Sequence, residues 1–122
     1  MKLFVFGNEL VKEDSLARHV ARELRITGIE LVPCDSVEEM LRYGKSPVIL
    51  YVVKGLKEVR VLSIDELQEF QSLSSHDIDL GYELKLLKEM GQIGDVRVLG
   101  IPQSGKKEEI KKRVAAIICG LL

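Results

Sequence analysis

A chain of 122 residues, 46% hydrophobic and 30% charged, has the size of one ordinary domain and can bury a core without disulfide or metal staples. That composition excludes disordered and fibrous classes. Lys plus Arg (18) against Asp plus Glu (19) leaves a formal net charge of −1, which argues against a strongly basic nucleic-acid binder.

In chain order, Lys2 to Phe6 (KLFVF) predicts a buried first strand, ended by the turn residues Gly7-Asn8. A helix follows from Asp14 or Ser15, either of which can cap it, with Leu16, Val20 and Leu24 as its apolar stripe and Arg18, His19, Arg22 and Glu23 toward water. Ile29 to Val32 is a second strand closed by Pro33-Cys34-Asp35. Ser36 with Glu39 then forms a capping box for a short helix through Leu41, and Tyr43-Gly44-Lys45-Ser46 is its exit turn. Pro47 to Val53 (PVILYVV) is the most apolar run and rich in β-branched residues, which predicts the central strand. Gly55 turns the chain into Glu58 to Ser63, a hairpin-like edge strand in which Val59 and Val61 alternate with Arg60 and Leu62. Ile64 to Gln71 reads as either a short helix or an irregular segment.

A strong helix is expected over about Asp79 to Met90, burying Leu80, Leu84 and Leu87 and stopped by Gly91 at C′. Val96 to Gly100 is the last strand, Pro102 to Gly105 a loop, and Lys106 to Cys119 a final helix with Ile110, Val114 and Ile117 toward the sheet. The mixed signs of Lys106, Lys107, Glu108, Glu109, Lys111, Lys112 and Arg113 mark a solvated helical face. The order βαβαββ(α)αβα predicts one α/β domain over residues 1–122. Its architecture is a three-layer α/β/α sandwich around a mostly parallel sheet of about five strands, with one antiparallel edge strand.

Cys34 and Cys119 lack a second Cys or a His at zinc-ligand spacing, so both read as small core thiols. Four apolar residues after Lys2 are too few for a signal peptide and no apolar run reaches membrane-spanning length. A cytoplasmic protein without membrane insertion is expected. No glycine pattern has the spacing of a nucleotide loop, and no G-x-S-x-G elbow occurs.

Open parallel sheets bind ligands beyond the carboxyl ends of their strands. That rule selects Asn8 with Glu13 and Asp14 after the first strand, Cys34-Asp35 after the second, and Lys54-Gly55 after the central one. His76-Asp77 precedes a helix, so its relation to this edge depends on how the sheet is threaded. Carboxylate and imidazole in one crevice suit nickel, zinc or iron. Helix capping by Asp14, and by His76 or Asp77, is the plainer assignment on the residues alone.

Several segments together resemble the hydrogenase maturation endopeptidases. FGNELVKED is similar to the family's G-N-x-L-x-x-D-[DE] start, and IELVPCD to its second strand ending in aspartate. SSHDIDLGYELKLLKEMG is similar to its histidine loop and helix, and VRVLGIPQ to its last strand with G-I-[QE]-P. The resemblance runs in order over about residues 2–103 and implies a phosphorylase/hydrolase-like fold. It implies a peptidase that removes the C-terminal extension of a nickel-iron hydrogenase large-subunit precursor after nickel insertion. The expected partner is that precursor, and the expected metal is the nickel of the substrate hydrogenase, bound in isolation or only together with the substrate, with no nucleotide. By position Asp14 and His76 are the metal contacts, with Asn8, Asp35 and Tyr51 in recognition or accessory roles and no catalytic residue assigned. One departure stands out: the family's central-strand carboxylate falls on Tyr51 or a neighbour, and no carboxylate occurs between Pro47 and Lys57. The alternative is a non-catalytic hydrogenase-assembly or binding protein on the same fold. Relatives also carry a longer insertion before the final helix, where this chain has only Ser104-Gly105.

Overall fold

A computed structural model describes residues 2–6, 16–24, 26–34, 37–44, 47–53, 55–71, 79–103 and 105–121. Five strands form one sheet: β1 (Lys2–Phe6), β2 (Glu30–Cys34), β3 (Val48–Val52), β4 (Arg60–Leu62) and β5 (Arg97–Ile101). Their order is β2-β1-β3-β5-β4; every neighbouring pair is parallel except β4 with β5. The helices are α1 (Leu16–Glu23), α2 (Val37–Leu41), α3 (Ile64–Gln71), α4 (Asp79–Glu89) and α5 (Lys107–Leu121).

Strand alternation divides the core into two. Leu3, Val5, Leu50, Val52, Leu99 and Ile101 point to one face, where Ala17, Val20 and Leu24 at α1 and Ile110, Val114 and Ile118 of α5 cover them. Phe4, Phe6, Ile49 and Val98 point to the other, covered by Met40 of α2, Leu67 of α3 and Leu80 and Leu84 of α4. Strands buried on both faces explain why KLFVF and VILYV are nearly continuous apolar runs. The predicted α/β/α sandwich is the observed architecture.

The handedness of the crossovers assigns the layers. β1-α1-β2 steps one way along the sheet and β2-α2-β3 the other, so right-handed connections place α1 and α2 on opposite faces. The step from β3 to β5 repeats the second direction and puts α4 beside α2.

Several local expectations change. The edge strand is β4, but it pairs antiparallel with β5 rather than forming a hairpin with β3. In it Leu62 is buried and Val61 is 38% exposed: Leu62 faces the helical layer of α3, while Val61, paired with Leu99, faces the other side of the sheet at its edge. Ile64 to Gln71 is a helix, and its cause was legible: the Glu66 N–H donates to Ser63 Oγ (3.2 Å) and the Ser63 N–H to Glu66 Oε1 (3.2 Å), a capping box. In α5 the buried stripe is Ile110, Val114 and Ile118, with Ile117 only partly buried beside it. Leu87 of α4 is likewise partly buried. Cys34 is buried, its thiol 3.6 Å from the Val32 carbonyl, whereas Cys119 is exposed and is no core thiol. His19 is exposed as expected.

The stop at Gly91 is a Schellman motif. With φ at +76°, Gly91 donates its N–H to the Lys88 carbonyl (3.1 Å) and Gln92 donates to that of Leu87 (2.9 Å).

Candidate functional site

Chain direction settles what gathers at the carboxyl edge. β1, β2, β3 and β5 all end there, at Phe6, Cys34, Val52 and Ile101. β1 and β3 are adjacent, and the chain leaves them in opposite directions, to β2 on one side and beyond β5 on the other. This is the topological switch point, the place at which open α/β sheets bind their ligands.

α3 and α4 extend the set. β4 runs against β5, so α3 starts at the opposite, amino edge. Lys85 in the second half of α4 reaches Asp65 at the start of α3 (4.0 Å), and Lys88 reaches Asp95, two residues before β5 (3.4 Å). The two helices are therefore antiparallel, with Gln71 and Asp79 at the carboxyl edge. These two residues border the stretch that carries His76.

Of the residues singled out in the sequence, Asn8, Asp14, Asp35 and His76 lie outside the described residues. Their described borders are Phe6 and Leu16, Cys34 and Val37, and Gln71 and Asp79. Tyr51 is described. It is the penultimate residue of β3, faces the α2–α4 layer, is half-buried and packs against that core. In register it stands opposite Gly100 of β5.

Gly100 is a close approach that the sequence reading did not single out. A Cβ there would lie 2.9 Å from Leu56 Cδ2, 3.1 Å from Val53 Cγ2 and 3.2 Å from Leu62 Cδ1. Leu56 arrives through a tight turn closed by its N–H to the Val53 carbonyl (3.2 Å), with Gly55 at φ +91° in the position a type II turn reserves for glycine. Glycine in the last strand thus lets the β3–β4 connection seal the sheet beside Tyr51.

Other suggestive segments separate. The Tyr43 ring lies 5.5 Å from that of Phe4 and 5.0 Å from the Lys2 ammonium, at the amino end of β1. The Tyr43-Gly44 turn is thereby remote from the carboxyl edge. Lys107 and Lys111 of α5 hold Glu23 of α1 at 3.1 and 3.6 Å, and Glu23 is shifted below the usual carboxylate range chiefly by its hydrogen bond from Lys107. These lysines clamp two helices together.

Among the described residues no cluster of three or more His, Cys, Asp or Glu could hold a metal ion. None of the described helices is long and apolar enough to cross a membrane.

No protein-family model matches the chain, and no curated protein matches it. Among solved structures it is similar to an uncharacterized protein from Wolinella succinogenes, with a TM-score of 0.59 and 17% identity over 99% of this chain and 98% of that one. At that identity the likeness concerns the fold.

Proposed function

We propose that this chain is an endopeptidase of hydrogenase maturation. In this reading it acts in the cytoplasm and removes the C-terminal extension of a nickel-iron hydrogenase large-subunit precursor once nickel is in place. The observation that carries the reading is the ordered succession of resembling segments. The topology supports it: the borders of the Asn8–Asp14, Asp35 and His76 stretches all belong to the edge where an α/β sheet opens.

Asp14 and His76 are assigned to the nickel of the substrate, and Asn8 and Asp35 to recognition of the peptide around it. Carboxylate and neutral imidazole are both suitable donors to nickel. Cleavage adds water across the scissile amide, freeing a carboxylate on the large subunit and an amine on the extension.

The test is to incubate the purified chain with nickel-loaded precursor and weigh the large subunit by mass spectrometry. The expected result is loss of the extension with wild type and its retention with Asp14→Ala or His76→Ala. An intact precursor after incubation with wild type overturns the enzymatic reading.

A second reading rests on Tyr51, which stands where the resemblance expects a carboxylate. A phenol has a reference pKa of about 10 and would ionise at neutral pH only against a metal. A non-catalytic assembly protein would bind the precursor without cutting it, and co-purification would survive Asp14→Ala and His76→Ala.

A further inference from the structure

The two helical layers carry opposite charge, which the net charge of −1 conceals. α2 (VEEML), α3 (IDELQEFQ) and α4 (DLGYELKLLKE) together hold eight acidic residues and two lysines. α1 (LARHVARE) and α5 (KEEIKKRVAAIICGL) hold six Lys or Arg and three Glu. One broad face of the molecule is acidic and the opposite face basic.

An apolar stripe runs down the middle of the acidic face. Tyr82, Leu86 and Met90 follow each other at intervals of four along α4, 59%, 44% and 59% exposed. The Met90 N–H donates to the Leu86 carbonyl (3.0 Å), so helical geometry continues to the end of the stripe. At about 100° per residue these side chains span a narrow arc opposite the buried Leu80 and Leu84. Of the five large apolar residues exposed among the described ones, three are in this stripe and none is on α1 or α5.

The rim of the stripe is selective. Glu83 flanks it on one side and Glu89 on the other, both exposed and in no ion pair among the described residues. The two lysines of α4 are instead drawn to Asp65 and Asp95. Pairing two copies stripe to stripe would bring two acidic layers together, a like-charge repulsion. Among the described residues, the basic face of another copy offers charge but no exposed large apolar side chain to cover the stripe.

We infer that the outer face of α4 is a docking surface for an amphipathic segment of a partner protein, one that presents an apolar ridge flanked by Lys or Arg. Tyr82, Leu86 and Met90 receive the ridge, and Glu83 and Glu89 select the charge of its flanks. This surface does not depend on the peptidase reading.

The test uses the full chain and two labelled helical peptides of about 20 residues, with the same leucine ridge flanked by lysine in one and glutamate in the other. Fluorescence anisotropy is expected to show the lysine-flanked peptide bound at least about tenfold more tightly, with the preference weakening as salt rises. Leu86→Ser together with Met90→Ser should abolish binding, and Glu83→Lys with Glu89→Lys should reverse the preference. These side chains are exposed, so unchanged thermal unfolding of the variants separates lost docking from lost fold. Equal binding of both peptides, or binding of neither, overturns the inference. So does a dimer in sedimentation that Leu86→Ser dissolves, because the stripe would then belong to a second copy.

Discussion

Ser63 and Glu66 decide whether the chain after β4 becomes a helix. Each side chain caps the other's backbone N–H, and Arg60 adds an ion pair to Glu66 at 2.8 Å. Ser63→Ala removes one of the two capping bonds and is expected to cost about 1 kcal/mol in urea denaturation. The Glu66 carboxyl lies below its ordinary value of 4.5, first through the Ser63 N–H and next through Arg60. A folded-state pKa below the unfolded one stabilises above the unfolded value and loses that contribution as pH falls through the folded one. The stability difference between wild type and Glu66→Gln should therefore hold steady above about pH 5.5 and shrink below 4.5. Gly100 is the residue-scale opposite, where an added methyl meets three side chains within 3.2 Å. Gly100→Ala should cost about 1–3 kcal/mol through overpacking. Gly120, in the last turn of α5 with nothing within 4 Å of a built Cβ, should gain up to about 1 kcal/mol as Ala in the same denaturation assay.

At the scale of elements, α5 shows how helical period and tertiary direction divide the work. Its sequence offers both Ile117 and Ile118 as continuations of the Ile110 and Val114 stripe, since i+3 and i+4 both return to one face. Packing against β3 and β5 selects Ile118, which is fully buried, and leaves Ile117 at the margin. Ile118→Ala should cost about 2–5 kcal/mol and Ile117→Ala about 1 kcal/mol, a difference read directly from denaturation midpoints. β4 is the other element whose surroundings decided its role. The sequence marked it as an edge strand, but only the insertion of β5 beside β3 decided that it pairs with β5 instead of forming a hairpin with β3.

Across the whole molecule, the sheet separates two apolar clusters yet belongs to both. Leu84 stands in one and Ile118 in the other. Truncating either to Ala should lower one cooperative transition followed by circular dichroism and by tyrosine fluorescence alike. Without shared contacts across the sheet, the double variant should equal the sum of the singles within about 0.5 kcal/mol. A markedly non-additive result would mean that the clusters communicate through the strands.

The alternation of apolar runs with helical periods determined the class, the element order and most of the core. Those depend on which residues must leave water, and period records that locally. The Gly91 stop was legible for the same reason, because it is completed within a few residues. The Ser63–Glu66 pair carries an equally local signal that the sequence reading did not single out, and Ser36 of the expected Ser36–Glu39 box lies outside the described residues. Strand order, the non-hairpin edge, the exposure of Cys119 and the close approach at Gly100 were not, because they depend on residues distant in sequence. The direction of α4 belongs with these. Only ion pairs to Asp65 and Asp95 show that its first residue, and with it the border of the His76 stretch, belongs to the carboxyl edge. The separation of charge into an acidic and a basic layer is a tertiary fact too, since composition sums the charges and only the crossovers sort helices onto faces.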